Sequence, residues 1–290
     1  MQADGTHVMQ RAMRLLAAVI GSAGILAVPA SAQTPHNWQL SFQPAQSPVQ
    51  AGVEGLHAMV IWLMAVVTIF VALLLLYVVW RYHSSRSPNP SRVSHHTALE
   101  VAWTLLPVLI LVVIAIPSFR LIYYEDRTDD PALTIKVTGR QWAWQYEYPD
   151  TGGFSFISNM IADDELKPGD LRRLTVDNRL VLPAGKNIRI LTTSNDVIHS
   201  FFIPSLGVQR YAIPGRTIET WVRVDQPGVY YGECNQICGT NHSAMPIAVE
   251  AKTDADFAAW VEQAKTKYAS TEPAAPAAAG TRLAIADQQR

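Results

Sequence analysis

Two long stretches without a charged residue constrain this chain more than any other feature. They run over residues 58–80 and 101–119. A helix rises about 1.5 Å per residue, so each is long enough to cross a hydrocarbon core of about 30 Å. Pro107 and Pro117 lie in the second stretch, but membrane helices tolerate proline where neighbours satisfy the freed carbonyl. We predict membrane helices over 58–80 and 101–122; two buried helices of a soluble protein are the alternative.

An earlier apolar stretch has the layout of an export signal. Arg11 and Arg14 precede apolar residues 15–28, and Ala30-Ser31-Ala32 forms a small-residue cleavage site. We therefore expect residues 1–32 to be removed, which leaves an exported segment over 33–57. An uncleaved third membrane helix is the alternative. Glutamine follows the predicted cut where a lipid-anchored protein would need cysteine.

The charges around the two spans predict their orientation. Residues 81–99 carry Arg81, Arg86 and Arg92 and no acid, whereas the segment after the second span, "YYEDRTDDPA", is rich in acid. Cytoplasmic loops of membrane proteins carry an excess of Lys and Arg. The linker over 81–100 is therefore expected in the cytoplasm, with both flanking regions outside.

The pattern of apolar residues changes after about residue 132. Runs such as "LTIKVTGRQWAWQYEY" alternate apolar and polar residues, and Pro-Gly or Pro-Ala-Gly turns separate them. Several short strands with this spacing predict a β-sandwich. A closing helix should begin near Thr253 or Asp254 as its N-cap. The Ala- and Pro-rich residues 267–290 are predicted to be disordered. A net charge of -1 gives no support for a nucleic-acid partner.

The chain's only two cysteines share a short segment with a histidine and a methionine. "YGECNQICGTNHSAMPI" contains Cys234, Cys238, His242 and Met245. In an exported protein, two cysteines normally form a disulfide. However, cysteine, histidine and methionine at a strand end, with a second histidine elsewhere, are the ligands of blue-copper sites. His199 is the other histidine of the sandwich. A disulfide loop and a copper site both remain open at this point; zinc fits the C-x3-C-x3-H-x2-M order less well.

The second cysteine favours a pair of metal ions over a single one. A mononuclear copper site needs only one thiolate. Two thiolates, two imidazoles, a thioether and a loop carbonyl are enough donors for two copper ions that share both sulfurs. Such a pair delocalises an added electron, so its bond lengths change little. The donor set therefore favours electron transfer over bond-making chemistry.

Four motifs, in order, resemble the subunit II family of cytochrome c oxidase. "CNQICGTNHSAM" resembles its dinuclear copper (CuA) loop, and "DVIHSFFIPSLG" followed by "AIPGR" resembles its upstream histidine segment. "VTGRQWAWQYEYPD" is similar to its aromatic strand, and "HHTALEVAWTLLPVLILVVIAIPSFRLIYYED" to its second membrane helix. The resemblance covers nearly all of residues 40–265.

The resemblance implies a two-helix transmembrane hairpin followed by an all-β cupredoxin-like sandwich over 123–266. It also implies two copper ions, with Cys234 and Cys238 bridging them and one histidine on each ion. The implied copper ligands are His199, Cys234, the main-chain carbonyl of Gln236, Cys238, His242 and Met245.

The same resemblance implies a role in respiration. The chain would accept electrons from cytochrome c and pass them to haem-copper subunit I, where oxygen is reduced to water and protons are pumped. Subunit I and subunit III would be its partners in a bacterial inner membrane, with the copper domain on the periplasmic side. Trp142 falls at the family's electron-entry tryptophan, although for a lone tryptophan without the resemblance ordinary core packing or an exposed contact is the better explanation.

Several acidic residues receive roles from the resemblance. Glu100 falls at the mouth of a proton path, yet an acid at a helix start also suits the helix dipole. Three further acids are candidates for docking a basic cytochrome c, although for each acid taken singly an ordinary solvated side chain is the better explanation. They are Glu147, Asp150 and Asp196.

The sequence departs from the family's pattern at three positions. Gln236 replaces the usual glutamate, whose carboxylate reaches a magnesium or manganese ion shared with subunit I. Copper ligation by the main-chain carbonyl should survive this change, but magnesium binding at Gln236 is left open. Gln209 and Tyr211 stand where lysine and aspartate are common, so we expect different polar contacts near the subunit interface.

Two other functions compete with electron transfer in an oxidase. A quinol-oxidase subunit that has lost copper would lack the cysteines and histidines, and all four are present. A copper-delivery module would have a more exposed site, rich in methionine or histidine, and would need neither Trp142 nor Glu100.

Overall fold

Two long helices lead the part of the chain that the structure describes. The computed structural model describes residues 34–269 except 36, 90, 127 and 129, so the predicted signal segment and the tail beyond 269 lie outside it. Helix α1 spans Pro48–Arg81 and helix α2 spans Thr97–Asp126. Both are long and apolar enough to cross a membrane, and their most apolar stretches are not buried against the rest of the described chain. The prediction of two apolar helices is confirmed.

Both helices extend beyond their apolar stretches. Helix α1 begins at Pro48 because Ser47 caps it: the hydroxyl of Ser47 accepts a hydrogen bond from the main-chain N–H of Gln50, 3.0 Å away. Residues 48–57 are therefore helical, although they precede the uncharged stretch. Helix α2 begins at Thr97 and continues through Pro107 and Pro117 without a break.

The rest of the described chain is mostly a β-sandwich, as predicted. One sheet has the order β3-β2-β1-β5-β8, and the other has the order β4-β10-β9-β6-β7. Helix α3, Asp254–Lys267, follows the last strand, and Thr253 is its N-cap as expected. The strands are β1 Leu133–Arg140, β2 Ala143–Tyr148, β3 Phe154–Ser158, β4 Leu180–Pro183, β5 Ile188–Ser194, β6 His199–Ile203, β7 Val208–Ala212, β8 Ile218–Val222, β9 Gly228–Cys234 and β10 Pro246–Lys252.

Aromatic side chains of β2 fill much of the sandwich interior. Trp144, Tyr146 and Tyr148 alternate along the strand, so they share one face, and all three are fully buried. The Tyr148 ring stacks on Phe154 at 4.9 Å and contacts Trp260 of α3 at 5.2 Å between centroids. Buried aromatic rings contribute a large apolar area each, and this layer holds both sheets and α3 together.

Strand pairing brings the two predicted ligand segments to the same end of the sandwich. Strand β6 begins at His199 and β9 ends at Cys234. The two strands run antiparallel, with Phe201 opposite Cys234. The start of one therefore lies beside the end of the other, and the loop over 235–245 continues from that edge.

Candidate metal centre

Two thiols form the centre of the site. The Sγ atoms of Cys234 and Cys238 are 3.8 Å apart. A disulfide bond is about 2.05 Å long, so both cysteines are free thiols in this structure. Of the two alternatives that the sequence left open, the described geometry therefore matches a pair of separate sulfur ligands.

Each sulfur has its own imidazole neighbour. The Nδ1 atom of His199 is 4.0 Å from Sγ of Cys234, and Nδ1 of His242 is 3.5 Å from Sγ of Cys238. His199, Cys234 and Cys238 offer atoms that all lie within 4.8 Å of one another. The arrangement is nearly symmetric about the two sulfurs, which suits a pair of ions better than one.

The two weak ligands implied by the resemblance complete the group. The Sδ atom of Met245 lies 3.6 Å from Sγ of Cys238, and the main-chain carbonyl of Gln236 lies 3.3 Å from Sγ of Cys234. Met245 and both cysteines are buried, with exposed fractions of 5 % or less, whereas His242 is half-buried. The structure thus brings all six candidate ligands together in a site that is largely shielded from water.

The thiols differ in their readiness to ionise. Burial alone would raise the pKa of Cys234, but hydrogen bonds with His199 and with the main chain at Ser200 bring it down to about 7. For Cys238, burial and the neighbouring charge of Cys234 raise the pKa to about 12. Near pH 7 the Cys234 thiol of the metal-free site is therefore partly ionised while Cys238 stays protonated, and a metal that binds both sulfurs must displace the remaining protons.

Asp196 fixes the orientation of the His199 ring. Its Oδ1 atom is 2.9 Å from Nε2 of His199. Since a carboxylate only accepts hydrogen bonds, Nε2 of His199 carries a proton; Nδ1 faces the sulfurs and can become a metal donor when it is deprotonated. The second oxygen of Asp196 accepts from the N–H of Gln141 at 2.7 Å, and Oδ1 also accepts from the N–H of Val197 at 2.6 Å. Burial opposes ionisation, but these bonds lower the pKa of Asp196 overall.

Gly139 and Trp144 also hold the His199 ring, and sequence reasoning assigned neither to the site. A Cβ atom on Gly139 would lie 2.8 Å from Cδ2 of His199, so only glycine leaves room for the ring there. The Trp144 ring meets the imidazole edge-to-face at 6.0 Å, and its Nε1–H donates to the carbonyl of Met245 at 3.1 Å. Only the alternation of aromatic residues in β2 hinted at Trp144.

Trp142 lies directly on the metal loop. Its half-buried indole donates from Nε1 to the carbonyl of Cys238 at 3.3 Å, and the side chain of Gln141 donates to the same oxygen at 2.8 Å. Gly239 has a φ of +121°, and a Cβ atom there would lie 2.9 Å from the indole. The structure thus places Trp142 in contact with the metal loop, and the entry role stays a prediction.

The predicted docking acids have structural contacts. Glu147 forms an ion pair with Lys136 at 3.1 Å, and Asp150 accepts from the main-chain N–H of Thr134 at 2.7 Å. Asp196, described above, is the member of the set that lies at the metal site. Gln209 and Tyr211 have exposed side chains on β7. Docking therefore stays a prediction for all three acids.

Glu100 lies far along the chain from the sandwich, in the first turn of α2. Its Oε1 atom accepts from the main-chain N–H of His96 at 3.1 Å. This contact caps the start of the helix. The capping role is enough to explain a glutamate at this position, and it requires no proton path. The predicted path role stays a prediction.

The donor set fits copper. Thiolate, thioether and imidazole are the soft and borderline donors that copper prefers, and the burial of the sulfurs excludes competing water. At Gln236 the side chain offers a neutral amide, not the carboxylate that magnesium prefers. The residues present fit a copper pair well and a magnesium ion less well.

Known proteins similar to this chain share its two parts. The family model "Cytochrome C oxidase subunit II, periplasmic domain" matches residues 133–252, and the model of the family's transmembrane domain matches 35–121. A probable cytochrome c oxidase subunit 2 of Rickettsia bellii is 44 % identical over 82 % of this chain and 88 % of its own length. Cytochrome c oxidase subunit 2 of Zea mays is 46 % identical over 77 % of this chain and 88 % of its own.

A solved structure is also similar. The periplasmic domain of subunit II of the cytochrome oxidase (CoxB) of Bradyrhizobium japonicum is 47 % identical, with a TM-score of 0.46. The similarity covers 49 % of this chain and 99 % of that one.

Proposed function

Because this chain belongs to the cytochrome c oxidase subunit II family, we propose that it is the electron-accepting subunit of a respiratory oxidase. It receives electrons from a cytochrome c and passes them to haem-copper subunit I. One observation carries the proposal: two buried free thiols lie 3.8 Å apart, and each has an imidazole Nδ1 within 4.0 Å. Members of this family are components of the oxidase complex, so oxygen chemistry belongs to subunit I.

Six residues of the chain would hold the CuA copper pair. When bound, the pair supplies a one-electron acceptor whose charge both ions share. The protein contributes fixed donors: Asp196 orients His199, Trp144 holds the Met245 carbonyl, and the sandwich excludes water. Fixed donors keep the structural change on redox small. The ligands are His199, Cys234, the Gln236 carbonyl, Cys238, His242 and Met245.

Electrons enter through Trp142. The indole is partly exposed and hydrogen-bonded to the Cys238 carbonyl, so it connects the surface to a sulfur ligand through a short bonded path. Next to it, Val197 and Ile198 are partly exposed, and Asp196 bonds the N–H of Gln141. This mixture of apolar rim and acidic group suits a basic cytochrome c, with Glu147 and Asp150 as further docking acids.

The two helices make the chain a two-pass membrane protein. On the charge asymmetry of its flanks, the linker faces the cytoplasm and the copper domain lies on the periplasmic side of a bacterial inner membrane. Glu100 then faces the cytoplasm, where it collects protons for subunit I, which pumps them. Subunit III is a further partner. A magnesium or manganese ion at the subunit interface would have to use the amide of Gln236 or another neighbour.

Copper delivery is the less suitable function. A carrier must release its metal, which requires accessible donors. Here three of the sulfur and nitrogen ligands, His199, Cys234 and Met245, are at most 4 % exposed. Burial of this kind favours a permanently bound metal.

The test uses the assembled oxidase purified from its own membrane. Elemental analysis should find two copper ions per copy of this chain in addition to the copper of haem-copper subunit I, and the electron paramagnetic resonance spectrum should show coupling to two equivalent copper nuclei. A value of one copper, zinc instead of copper, or no metal would remove the proposal.

A paired variant tests the entry residue. Trp142→Phe should leave the spectrum unchanged, because an aromatic ring stays beside the metal loop. It should slow the reduction of the site by cytochrome c, because the hydrogen bond to the Cys238 carbonyl is lost. Trp260→Phe, in the half-buried tryptophan of α3, is the matched control and should change neither. Equal reduction rates in the two variants would exclude Trp142 as the entry point.

A further inference from the structure

A short hairpin connects the metal site to both membrane helices. Strand β6 starts at His199, ends at a turn over Pro204–Leu206, and returns as β7. Phe201 of β6 lies opposite Arg210 of β7 on one side and opposite Cys234 on the other. At about 3.3 Å per strand residue, Phe201 is only about 7 Å from His199. Strand β6 therefore pairs with β9, which carries the ligand Cys234, and with β7, which carries Arg210.

Side chains of the sandwich cap the C-terminal end of α2 by donating hydrogen bonds to its last carbonyls. Trp221 donates from Nε1 to the carbonyl of Tyr124 at 2.8 Å, and Thr220 donates from its hydroxyl to the carbonyl of Glu125 at 3.3 Å. Arg210 donates to the same Glu125 carbonyl at 3.2 Å. The last carbonyls of a helix have no partner within the helix. These donors therefore join the helix end to strands β7 and β8.

Arg210 makes the charged contact of this junction. Its guanidinium also pairs with the carboxylate of Asp126. A cation suits the negative end of a helix dipole, and one terminal nitrogen of the guanidinium, Nη2, donates to both the Glu125 carbonyl and the Asp126 carboxylate. The Arg210 side chain is 19 % exposed, whereas that of Asp126 is 62 % exposed, so the contact with the Glu125 carbonyl is the better shielded of the two.

The start of α1 is joined to the turn of the same hairpin. Gln46 donates its N–H to the carbonyl of Ser205 at 2.9 Å, and Ser47 donates its hydroxyl to the carbonyl of Leu206 at 2.7 Å. Gly207 has a φ of +63°, and a Cβ atom there would lie 2.8 Å from the N atom of Gln50. Both membrane helices are thus held close against the hairpin that begins with His199.

We propose that Arg210 is a positioning residue for onward electron transfer. Together with Trp221 and Thr220, it fixes the place of the metal site relative to the membrane hairpin, and hence to the haem of subunit I. This inference rests on the proposed function. Arg210 contacts no candidate ligand, so its loss should move the site as a whole and leave metal binding intact.

The experiment compares Arg210→Gln with Arg189→Gln in the assembled oxidase. Arg189 is a matched control, because it forms an ion pair with Glu219 between strands of the same sandwich, 3.1 Å apart, and no contact with α2 is among those that the described residues make. Three quantities are measured: the copper content with its resonance spectrum, the rate of reduction by cytochrome c, and the rate of transfer from copper to haem after a light flash.

In Arg210→Gln the first two quantities should match the unaltered oxidase. The third should fall severalfold, because the rate of electron tunnelling drops as the distance between donor and acceptor grows. Arg189→Gln should leave all three unchanged. An unaltered copper-to-haem rate in Arg210→Gln, or an equal loss in Arg189→Gln, overturns the inference. A site without copper in the unaltered oxidase would instead remove the proposed function.

Two milder variants keep the inference testable if Arg210→Gln prevents assembly. Trp221→Phe removes the Nε1 donor but keeps an aromatic ring beside Tyr124, whose centroid lies 5.2 Å from that of Trp221. Arg210→Lys keeps the charge but loses the planar guanidinium whose Nη2 donates to both partners. Both should assemble and slow the copper-to-haem step alone. Normal transfer in both variants would overturn the inference.

Discussion

The two segments that supply the metal ligands are built in opposite ways. His199 opens a strand and is fully buried, and its ring is fixed by Asp196, Gly139 and Trp144. The other ligands come from the end of β9 and from the loop over 235–245, where His242 is half-exposed. His199 is therefore a fixed reference ligand, and among the loop ligands the half-exposed His242 has the most room to adjust. A change at His242 should harm metal binding more than folding, whereas a change at His199 should also harm the sandwich.

The largest expected effect is on metal binding through the loop. Cys238→Ser should reduce the bound copper from two ions to one or none, because the second bridging sulfur is lost. The fold should remain, since Cys238 closes no disulfide. Elemental analysis and the visible spectrum of the purified full chain measure the loss. Ser243→Ala, in the same loop, is the control; two copper ions retained in Cys238→Ser would contradict the assigned bridge.

The next-largest expected effect is on the stability of the metal-free chain, which should fall more when His199 is replaced than when His242 is replaced. His199→Ala removes a buried ring and leaves Asp196 without its partner, so it should cost about 2–4 kcal/mol in free energy of unfolding. His242→Ala, at a half-exposed position, should cost about 1 kcal/mol or less. Denaturant unfolding followed by tryptophan fluorescence measures both. Equal losses of unfolding free energy in the two variants would show that the strand does not hold its histidine more firmly than the loop does.

A smaller effect should follow when the support of the reference ligand is weakened. Asp196→Asn no longer offers a charged acceptor to His199, so copper affinity should fall about 10- to 100-fold, as for other partners of metal-binding histidines. Competition with a chelator measures the affinity. Asp150→Asn, which alters an acid bonded to the N–H of Thr134, should leave it unchanged. An affinity in Asp196→Asn equal to that of the control would show that ring orientation does not depend on this carboxylate.

The smallest effect concerns the two thiols of the metal-free chain. Cys234, at the strand end, has a lowered pKa of about 7, whereas that of Cys238 is raised. Below pH 7 the Cys234 thiol is protonated and should react slowly with iodoacetamide. Above pH 7 it should react first, ahead of Cys238. Mass spectrometry after partial labelling at several pH values identifies the modified residue. Faster labelling of Cys238 would reverse the assignment of the thiolate.

The sequence predicted the elements whose signal is local. Uncharged runs indicated the two helices, and alternation indicated the strands, since each pattern repeats within a few residues. The ligands came from a motif, because Cys234, Cys238, His242 and Met245 lie close together in the chain. The early start of α1 was missed although its signal, a serine followed by proline, is present at Ser47 and Pro48.

Contacts between distant parts of the chain were not predictable in the same way. Gly139 faces His199 only because β1 pairs with β5 and the two sheets pack together, and no spacing in the sequence encodes that pairing. The same holds for the bonds from Trp221 and Arg210 to the end of α2, which join residues 84 to 97 positions apart. Asp196 had a visible clue, three residues before His199, but its acidic charge suggested a surface role.

The close approach of the His199 ring to Gly139 has a consequence for how such chains diverge. As long as residue 199 is histidine, any side chain at position 139 would clash with its ring. If the histidine is lost, position 139 can change to alanine or a larger residue. A descendant with such a residue cannot regain the histidine by a single reversion. The loss of the His199 ligand would then be hard to reverse, because the substitution at position 139, which is not a metal ligand, would block the return of the histidine.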